Sequence, residues 1–476
     1  MLVGHSMKKQ TSMLPSSVAV NRRTPRSSMK ISALAVLVVG ALTSYGALAE
    51  SVSLSELYQQ SLDNNPALKS AALAIDSATY GADKVGAAYL PQVDANLAYG
   101  VLRNSYTTLN EIDTNAAQAS ISVGQNLYNA KLNAENELSN QQVELSQVSH
   151  QVALESLALQ VVVGYFNALK AQESLKQTKA TQEAFEEQLK QTERQFSLGM
   201  IPENDVIDAR AQFDLVSASV IVAENEVEKS LDVLYELSGN EFTSVYPLNT
   251  DRYDANIPTP ENALTWQEKA QQFNPEMQIQ KQLVELSKQQ IELAQAGHQP
   301  SLGLVAEYRY TFASEIRRTE MGQSKQQFNS IDDNSTVFAG VAMTLPVYRG
   351  GATSNEVQQA KVQYQQALQL QEQSWRSVTR QIRGAEKDLN ALISAQQAYA
   401  NSVHSAERSL VATQQGFEIG SRTIVDVLNG TRQLYSAKQD LTEAQIDFIL
   451  VSLQLKFLGG ELLPEDISAI NAGLKR

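Results

Sequence analysis

A chain of 476 residues with 38 Lys/Arg, 52 Asp/Glu and 43% hydrophobic residues is acidic and long enough for more than one ordinary domain. It contains no cysteine, which excludes disulfides, zinc–thiolate sites, cysteine nucleophiles and a lipidated N-terminal cysteine. The negative surplus disfavours nucleic acid as a partner, because phosphates demand the opposite sign.

The first segment, residues 1–49, has the order of a secretory signal peptide. Lys8, Lys9, Arg22, Arg23, Arg26 and Lys30 precede the apolar stretch Ile31–Leu42, and Ala47-Leu48-Ala49 offers a small-x-small cleavage site. The stretch is too short to span a bilayer. Met29 to Ala49 is 21 residues, a normal signal length, so Met29 is an alternative start to Met1. Removing this leader takes away six basic and no acidic residues, leaving an excess of 20 negative charges. Such a surface suits a cation-preferring lumen and equally a merely soluble acidic one. Beyond it, no apolar run reaches the ~18 residues of a membrane-spanning helix.

The rest is written twice. Asn65-Pro66 recurs as Asn274-Pro275, and Pro91 follows Pro66 at the same distance as Pro300 follows Pro275. Phe196-Ser-Leu-Gly199 recurs as Phe417-Glu-Ile-Gly420, each followed six residues on by Asp-Val: Asp205-Val206 and Asp426-Val427. Leu237-Ser-Gly239 answers Leu458-Gly-Gly460. The offset is 209 early and 221 late, so the second copy carries a longer loop between Pro300 and Tyr348. Two long tandem units are a duplicated module, not a solenoid. The organisation predicted is a first repeat over 50–242, a linker over 243–262, a second repeat over 263–460 and a C-terminal segment over 461–476.

Each copy predicts a helix, two strands, a long helix, a turn and a further helix. Val93, Ala95, Leu97, Tyr99 and Val101 alternate with polar or small residues, as do Ala119, Ile121 and Val123. The second copy has Leu302, Leu304, Ala306, Tyr308, Tyr310 and Phe312, then Val337, Ala339, Val341, Met343 and Leu345 before Pro346. Segments of about ten residues match tilted membrane strands, and Tyr99, Tyr308, Tyr310 and Phe312 suit a lipid-facing band with its aromatic girdle. The stretches near Asn104–Asn115 and Ala313–Ser335 read as polar loops.

From about Ala130 to Phe196 there is no proline. Leu138, Leu145, Val152, Leu159 and Phe166 fall seven apart, with Val148, Val162 and Leu169 three beyond, a coiled-coil seam interrupted by Gln141 and Glu155. Such a helix is a rod on the order of 100 Å. Its counterpart runs from about Ser354 to Phe417. Gly199 and Gly420 end these helices and predict helix–turn–helix connections.

Four membrane strands cannot close a barrel, and unpaired backbone groups in hydrocarbon cost several kcal/mol each. Strands must be shared among copies: eight would give a filled interior, twelve an aqueous lumen. A trimer is therefore expected. His5, His150, His298 and His404 lack metal-ligand spacing, no cofactor motif or nucleotide-binding GxxxxGK[ST] loop is present, and no carboxylate pair is tied to a pocket, so neither metal nor cofactor nor enzyme activity is expected. A structural or adhesive coiled-coil protein is the alternative that the heptads alone would serve.

The segments Gly420-Ser-Arg-Thr-Ile-Val-Asp-Val-Leu428, Leu434-Tyr-Ser-Ala-Lys-Gln-Asp-Leu441, Leu345-Pro-Val-Tyr-Arg-Gly-Gly351 and Asp205-Val-Ile-Asp-Ala-Arg-Ala-Gln-Phe213 closely resemble the TolC family of outer-membrane efflux channels. The likeness extends from about Leu54 to Leu474. It implies a trimeric twelve-stranded β-barrel on a long periplasmic α-helical barrel, with Thr243–Asn262 and Glu461–Arg476 as equatorial candidates. It also implies an exit duct for efflux and type I secretion, opened by a periplasmic adaptor and an inner-membrane pump. By matched position Asp426 would ring the closed aperture, where three carboxylates would repel one another and raise their pKa. The residues themselves allow a plainer role for Asp426, as an acid in a helix first turn. Phe417 and Arg422 fall where the family has a tyrosine and an arginine tying inner to outer helices, and Asp205 where it has their acidic partner. Asn429 replaces a second aperture aspartate, and Phe417 lacks the hydroxyl. The turns holding Leu198, Gly199, Met200, Ile201, Gly420 and Ser421 would be the tip that docks the adaptor.

Overall fold

The computed structural model describes residues 51–104, 111–247, 262–320, 323–328 and 334–474, so the leader expected over 1–49 lies outside them. In chain order the elements are β1 (Ser51–Val52), α1 (Leu54–Asn64), α2 (Pro66–Gly86), β2 (Gln92–Asn104), β3 (Glu111–Asn129), α3 (Ala130–Ser197), α4 (Glu203–Ser238) and β4 (Ser244–Val245). They continue with α5 (Ala263–Phe273), α6 (Pro275–Ala296), β5 (Ser301–Glu320), β6 (Gln323–Phe328), β7 (Asn334–Thr344), α7 (Ala352–Glu418), α8 (Ile424–Gly459) and α9 (Pro464–Ala472).

The Asn-Pro motifs explain how each copy begins. Pro66 and Pro275 occupy the first helical turn, where a missing N–H costs nothing. Asn65 caps α2 by accepting from the Leu68 N–H at 3.1 Å, while its amide donates to the Leu237 carbonyl at 3.3 Å. Asn274 does the same, accepting from the Met277 N–H at 3.0 Å and donating to the Leu458 carbonyl at 2.9 Å. The two repeated motifs of each copy thus touch. Asparagine starts one helix and ties down the end of another, whose terminal Gly239 or Gly460 takes φ +73° or +72°.

The sheet runs β2-β3-β5-β7, all antiparallel, with β6 pairing the far end of β5. Register places Ala95, Ile121, Tyr308 and Val337 in one row across the four strands. The next row, on the opposite face, is Asn96, Ser120, Arg309 and Thr336. One face is therefore apolar and open, with Leu97 and Val337 87% and 76% exposed, and the other is polar. Among the described residues β2 pairs only with β3 and β7 only with β5, so both edges carry free backbone donors and acceptors.

Two sequence readings need correction here. The supposed loops are partly strand: β2 reaches Asn104, β3 starts at Glu111, β5 runs to Glu320, and β6 lies within the second supposed loop. Backbone pairing continues past the point where apolar alternation stops, because the ladder does not depend on side-chain polarity. Second, α3 does hold a window of 18 residues apolar enough by composition to cross a membrane. Half of that window is buried inside the protein, and α3 buries Leu157, Val161, Val162, Tyr165 and Phe166 in an apolar cluster, so packing accounts for its apolarity.

The helices form one layer. Alongside α3 lie α2 and α4 on one side and α6 and α8 on the other; α7 follows beyond α6 and α8. The edges of the layer are α7 and the α2–α4 pair, which make no extended contact with each other. Three apolar clusters hold it. One joins α1, α3, α4, α8, β4 and α9; a second joins α5, α6, α7 and α8 around Trp266; the third sits where α3, α4 and α8 converge. The two-residue strands β1 and β4, paired in parallel, stitch the segment before α1 to the segment after α4.

Candidate gating and docking site

Both long helices end in the same way. Gly199 (φ +70°) and Gly420 (φ +76°) take the left-handed conformation. The Met200 N–H reaches back to the Gln195 carbonyl at 2.9 Å, and the Ser421 N–H to the Gly416 carbonyl at 2.8 Å. These are Schellman closures, which satisfy the last helical carbonyls and turn the chain sharply. Around the turns, Leu198, Met200 and Ile419 are 74%, 69% and 81% exposed, while Ile201 is half-buried. Gly199, Gly420 and Ser421 are exposed beside them.

The second turn is the more closely knit. The Gly416 carbonyl accepts from the Ser421 N–H, the Arg422 N–H (3.1 Å) and the Ser421 hydroxyl (3.0 Å). A β-carbon on Gly416 would stand 2.7 Å from Arg422 Cγ, so glycine there lets the arginine stem lie across the helix end.

Asp426 is the third residue of α8, and Thr423 is its N-cap. The Asp426 N–H donates to Thr423 Oγ1 at 3.3 Å, while the Thr423 N–H and hydroxyl each donate to Asp426 Oδ2 at 2.9 Å. This is a reciprocal capping box. The Thr423 backbone bond, then its hydroxyl, then the Arg422 charge hold the Asp426 carboxyl below its ordinary 3.8. Within one chain the direction is therefore down, against the rise expected of a carboxylate ring. The matching residue of the first copy, Asp205, is also third in its helix, but its N-cap is Pro202, which has no side-chain oxygen. Asp205 thus forms no such box.

The expected pairing of Arg422 with Asp205 is not made: among the described residues no ion pair joins them. A different pair, Arg210 with Glu193 at 2.6 Å, links α4 to α3 near the tip. Asn429 is exposed, and its Oδ1 accepts from Arg432 Nη2 at 2.8 Å. Phe417 is half-buried and packs on a cluster of Phe185 from α3, Ala209 from α4 and Ile424 and Leu428 from α8. Its contact is apolar, and it joins helices from both copies.

Thr423, Gly416 and Arg432 were not singled out from sequence. Thr423-Ile-Val-Asp426 is a visible capping-box motif, whereas the roles of Gly416 and Arg432 depend on the path of the turn and the helix. Among the described residues no cluster of three or more His, Asp or Glu stands ready to hold a metal ion.

Comparison with known proteins points to one family over most of the chain. A model of the outer membrane efflux protein family matches residues 57–240 and 266–461. The chain is 33% identical to outer membrane protein TolC of Vibrio cholerae serotype O1 over 442 residues, 93% of this chain and 98% of the relative. It is 31% identical to TolC of Escherichia coli K12 over 443 residues, 93% and 89% of the two chains. The proteases secretion protein PrtF of Dickeya chrysanthemi is 27% identical over 67% of each chain. Among solved structures, the Campylobacter jejuni CmeC outer membrane channel superposes with TM-score 0.69 at 16% identity, covering 89% of this chain and 90% of that one. The open state of the Neisseria gonorrhoeae MtrE outer membrane channel gives 0.64 at 18% identity, covering 86% and 89%.

Proposed function

The chain belongs to the outer membrane efflux protein family, and from that premise we propose that it works as a homotrimeric exit duct for efflux and one-step secretion. One observation carries the reading: an open four-stranded sheet with an exposed apolar face, continuous with a helical layer that also has two free edges. Backbone groups at a sheet edge cannot stay unpaired in hydrocarbon, so the edges of β2 and β7 must meet those of other copies. Three copies give about twelve strands, enough for a water-filled lumen. The apolar face then meets lipid, and the Asn96–Arg309 row lines the pore.

On this reading residues 50–242 and 263–460 are the two quasi-equivalent staves of the tube. The segments 243–262 and 461–476 form its equatorial belt, and the chain acts in the outer membrane with its helices in the periplasm. The duct has no catalytic role; energy comes from an inner-membrane pump, recruited through a periplasmic adaptor protein. Exposed Leu198, Met200 and Ile419 at the helix turns give that adaptor an apolar surface to cover.

The closed state is held at the same end. Asp426 narrows the aperture and attracts cations, with Asn429 beside it supplying no charge. Phe417 contributes apolar packing where a tyrosine hydroxyl would have made a hydrogen bond. Arg422 and Asp205 form a latch only between copies, since they do not pair within one. Charge reversal of Asp205 tests that latch: it should raise antibiotic leakage into cells, and unchanged leakage would remove the latch from the mechanism. The function itself is tested by reconstituting detergent-extracted protein into planar bilayers. Steady, small, cation-preferring conductance supports the duct, and a helix-only protein without pores would favour an adhesive coiled coil.

A further inference from the structure

The two copies of the fold differ in chemistry where each long helix meets its next neighbour in the layer. Inside the chain, the joint between α3 and α8 is apolar. Val162 and Phe166 of α3 are fully buried in one cluster with Ile446 and Leu453 of α8, and Ile449 and Phe457 pack against it. Just beyond, Lys170 of α3 meets Glu443 and Asp447 of α8 at 3.3 Å each, and Gln439 of α8 donates to Ser174 at 3.2 Å.

The offset of 221 residues superposes the turns at Gly199 and Gly420 and the helix caps at Gly239 and Gly460. It carries α3 onto α7 and α8 onto α4. Under it Leu159, Val162 and Phe166 become Arg380, Arg383 and Lys387, while Ile449, Leu453 and Phe457 become Glu228, Asp232 and Glu236. Both sides of the joint have changed from apolar to charged, and with opposite signs. All six residues are exposed, and among the described residues none has an ion-pair partner. The basic three border an open groove of about 550 Å³ on α7, floored by Gly384. They lie on one edge of the helical layer, and the acidic three lie on the other.

We propose that α7 of one copy docks on α4 of the next through a charged seam that replaces the apolar α3–α8 joint. This rests on the reading that copies close into a tube. The antiparallel register of Lys170 with Glu443 and Asp447, carried over by the same offset, sets Arg380 beside Glu236, Arg383 beside Asp232 and Lys387 beside Glu228. The physical reason lies in when each joint forms. The inner joint closes as the chain folds, so it can be greasy. The outer one stays in water until a second copy arrives, and charge keeps that edge soluble, steers the encounter and rejects a slipped register.

The absence of cysteine makes the test clean. Full-length protein carrying Arg383→Cys and Asp232→Cys, oxidised in detergent, should give chains linked between copies. The pair Arg383→Cys with Asp208→Cys, about 36 Å away along α4, should not. Linkage with a cysteine at Asp254 instead, within one chain, would assign the groove to the chain's own linker and overturn the seam. Independently, Arg383→Glu or Asp232→Arg alone should weaken the assembly about tenfold per joint, lowering the temperature at which it falls apart on a gel, and the double exchange should restore it. Equal stability of the single and double variants would overturn the seam while leaving the tube intact. An unaltered protein that stays a lone subunit would overturn both.

Discussion

The carboxylate of Asp426 accepts two hydrogen bonds from Thr423, one from its N–H and one from its hydroxyl, each 2.9 Å long. One acidic side chain thus fastens the start of α8 and, on the gating role proposed above, would also set the charge at the aperture. The two duties can be separated. Thr423→Ala removes the cap and keeps the charge; Asp426→Asn removes the charge and keeps an acceptor. Thr423→Ala should speed amide exchange in the first turn of α8 about fivefold, the size of a lost helix cap, with cation selectivity unchanged. Asp426→Asn should weaken selectivity in planar bilayers, and Asp426→Ala should also raise single-channel conductance.

Acid should loosen the tip, and the sign follows from the depressed Asp426 pKa. A carboxylate held below its ordinary 3.8 stabilises the folded tip fully above that value, and the contribution is lost as pH falls through the lower, folded one. Mutual repulsion in a ring would push the other way, but through water it is weak beside two hydrogen bonds to the charged group. Conductance titrated downward should therefore rise with a midpoint below 3.8, and Asp426→Asn should abolish the step. A midpoint above the ordinary value would mean that repulsion between copies outweighs the Thr423 bonds.

The Arg432 guanidinium is held to Asn429, less than one turn from Asp426, at 2.8 Å, so under the proposed gating role it would offset part of the negative charge there. Arg432→Ala should increase cation preference, measured as a larger reversal potential across a salt gradient. Asn429→Asp should increase it further by adding an acceptor with charge. No change in either variant would place this pair outside the pore.

The apolar joint around Phe185 is predicted to hold the tip more firmly than any single ion pair. Phe185 is 1% exposed, so Phe185→Ala should cost about 3–5 kcal/mol of local stability. Phe417→Ala, at a half-buried position, should have a smaller effect of the same kind. Exposed ion pairs contribute about 0–1 kcal/mol, so removing Arg210 or Glu193 should matter far less. Sensitivity of cells to bulky antibiotics, read across these variants, orders them directly.

How much of this was legible in sequence varied with the kind of force involved. The ends of α3 and α7 stand within two residues of where the proline-free heptads and Gly199 and Gly420 put them. The apolar rows of the sheet were equally plain, but strand extensions such as Ala313–Glu320 were not, since backbone pairing leaves no mark on polarity. The two-residue strands β1 and β4 depend on contacts between segments 193 residues apart, beyond any local pattern. At the tip, the turns and the place of Asp426 in its helix were readable from the repeat. The stem of Arg422 lying over Gly416 was not, because a left-handed glycine four residues later decides it. The exchange of apolar for charged residues between the copies was present in the sequence, yet meant nothing until the helical layer showed which sides were edges.

The most direct test of the account is the mass and pore activity of gently extracted, full-length protein, measured together by light scattering and planar-bilayer recording. Three copies per particle, with discrete conductance from the same fraction, is the result expected of a four-stranded sheet that must borrow its neighbours. A stable single chain in detergent, with no conductance, would contradict it.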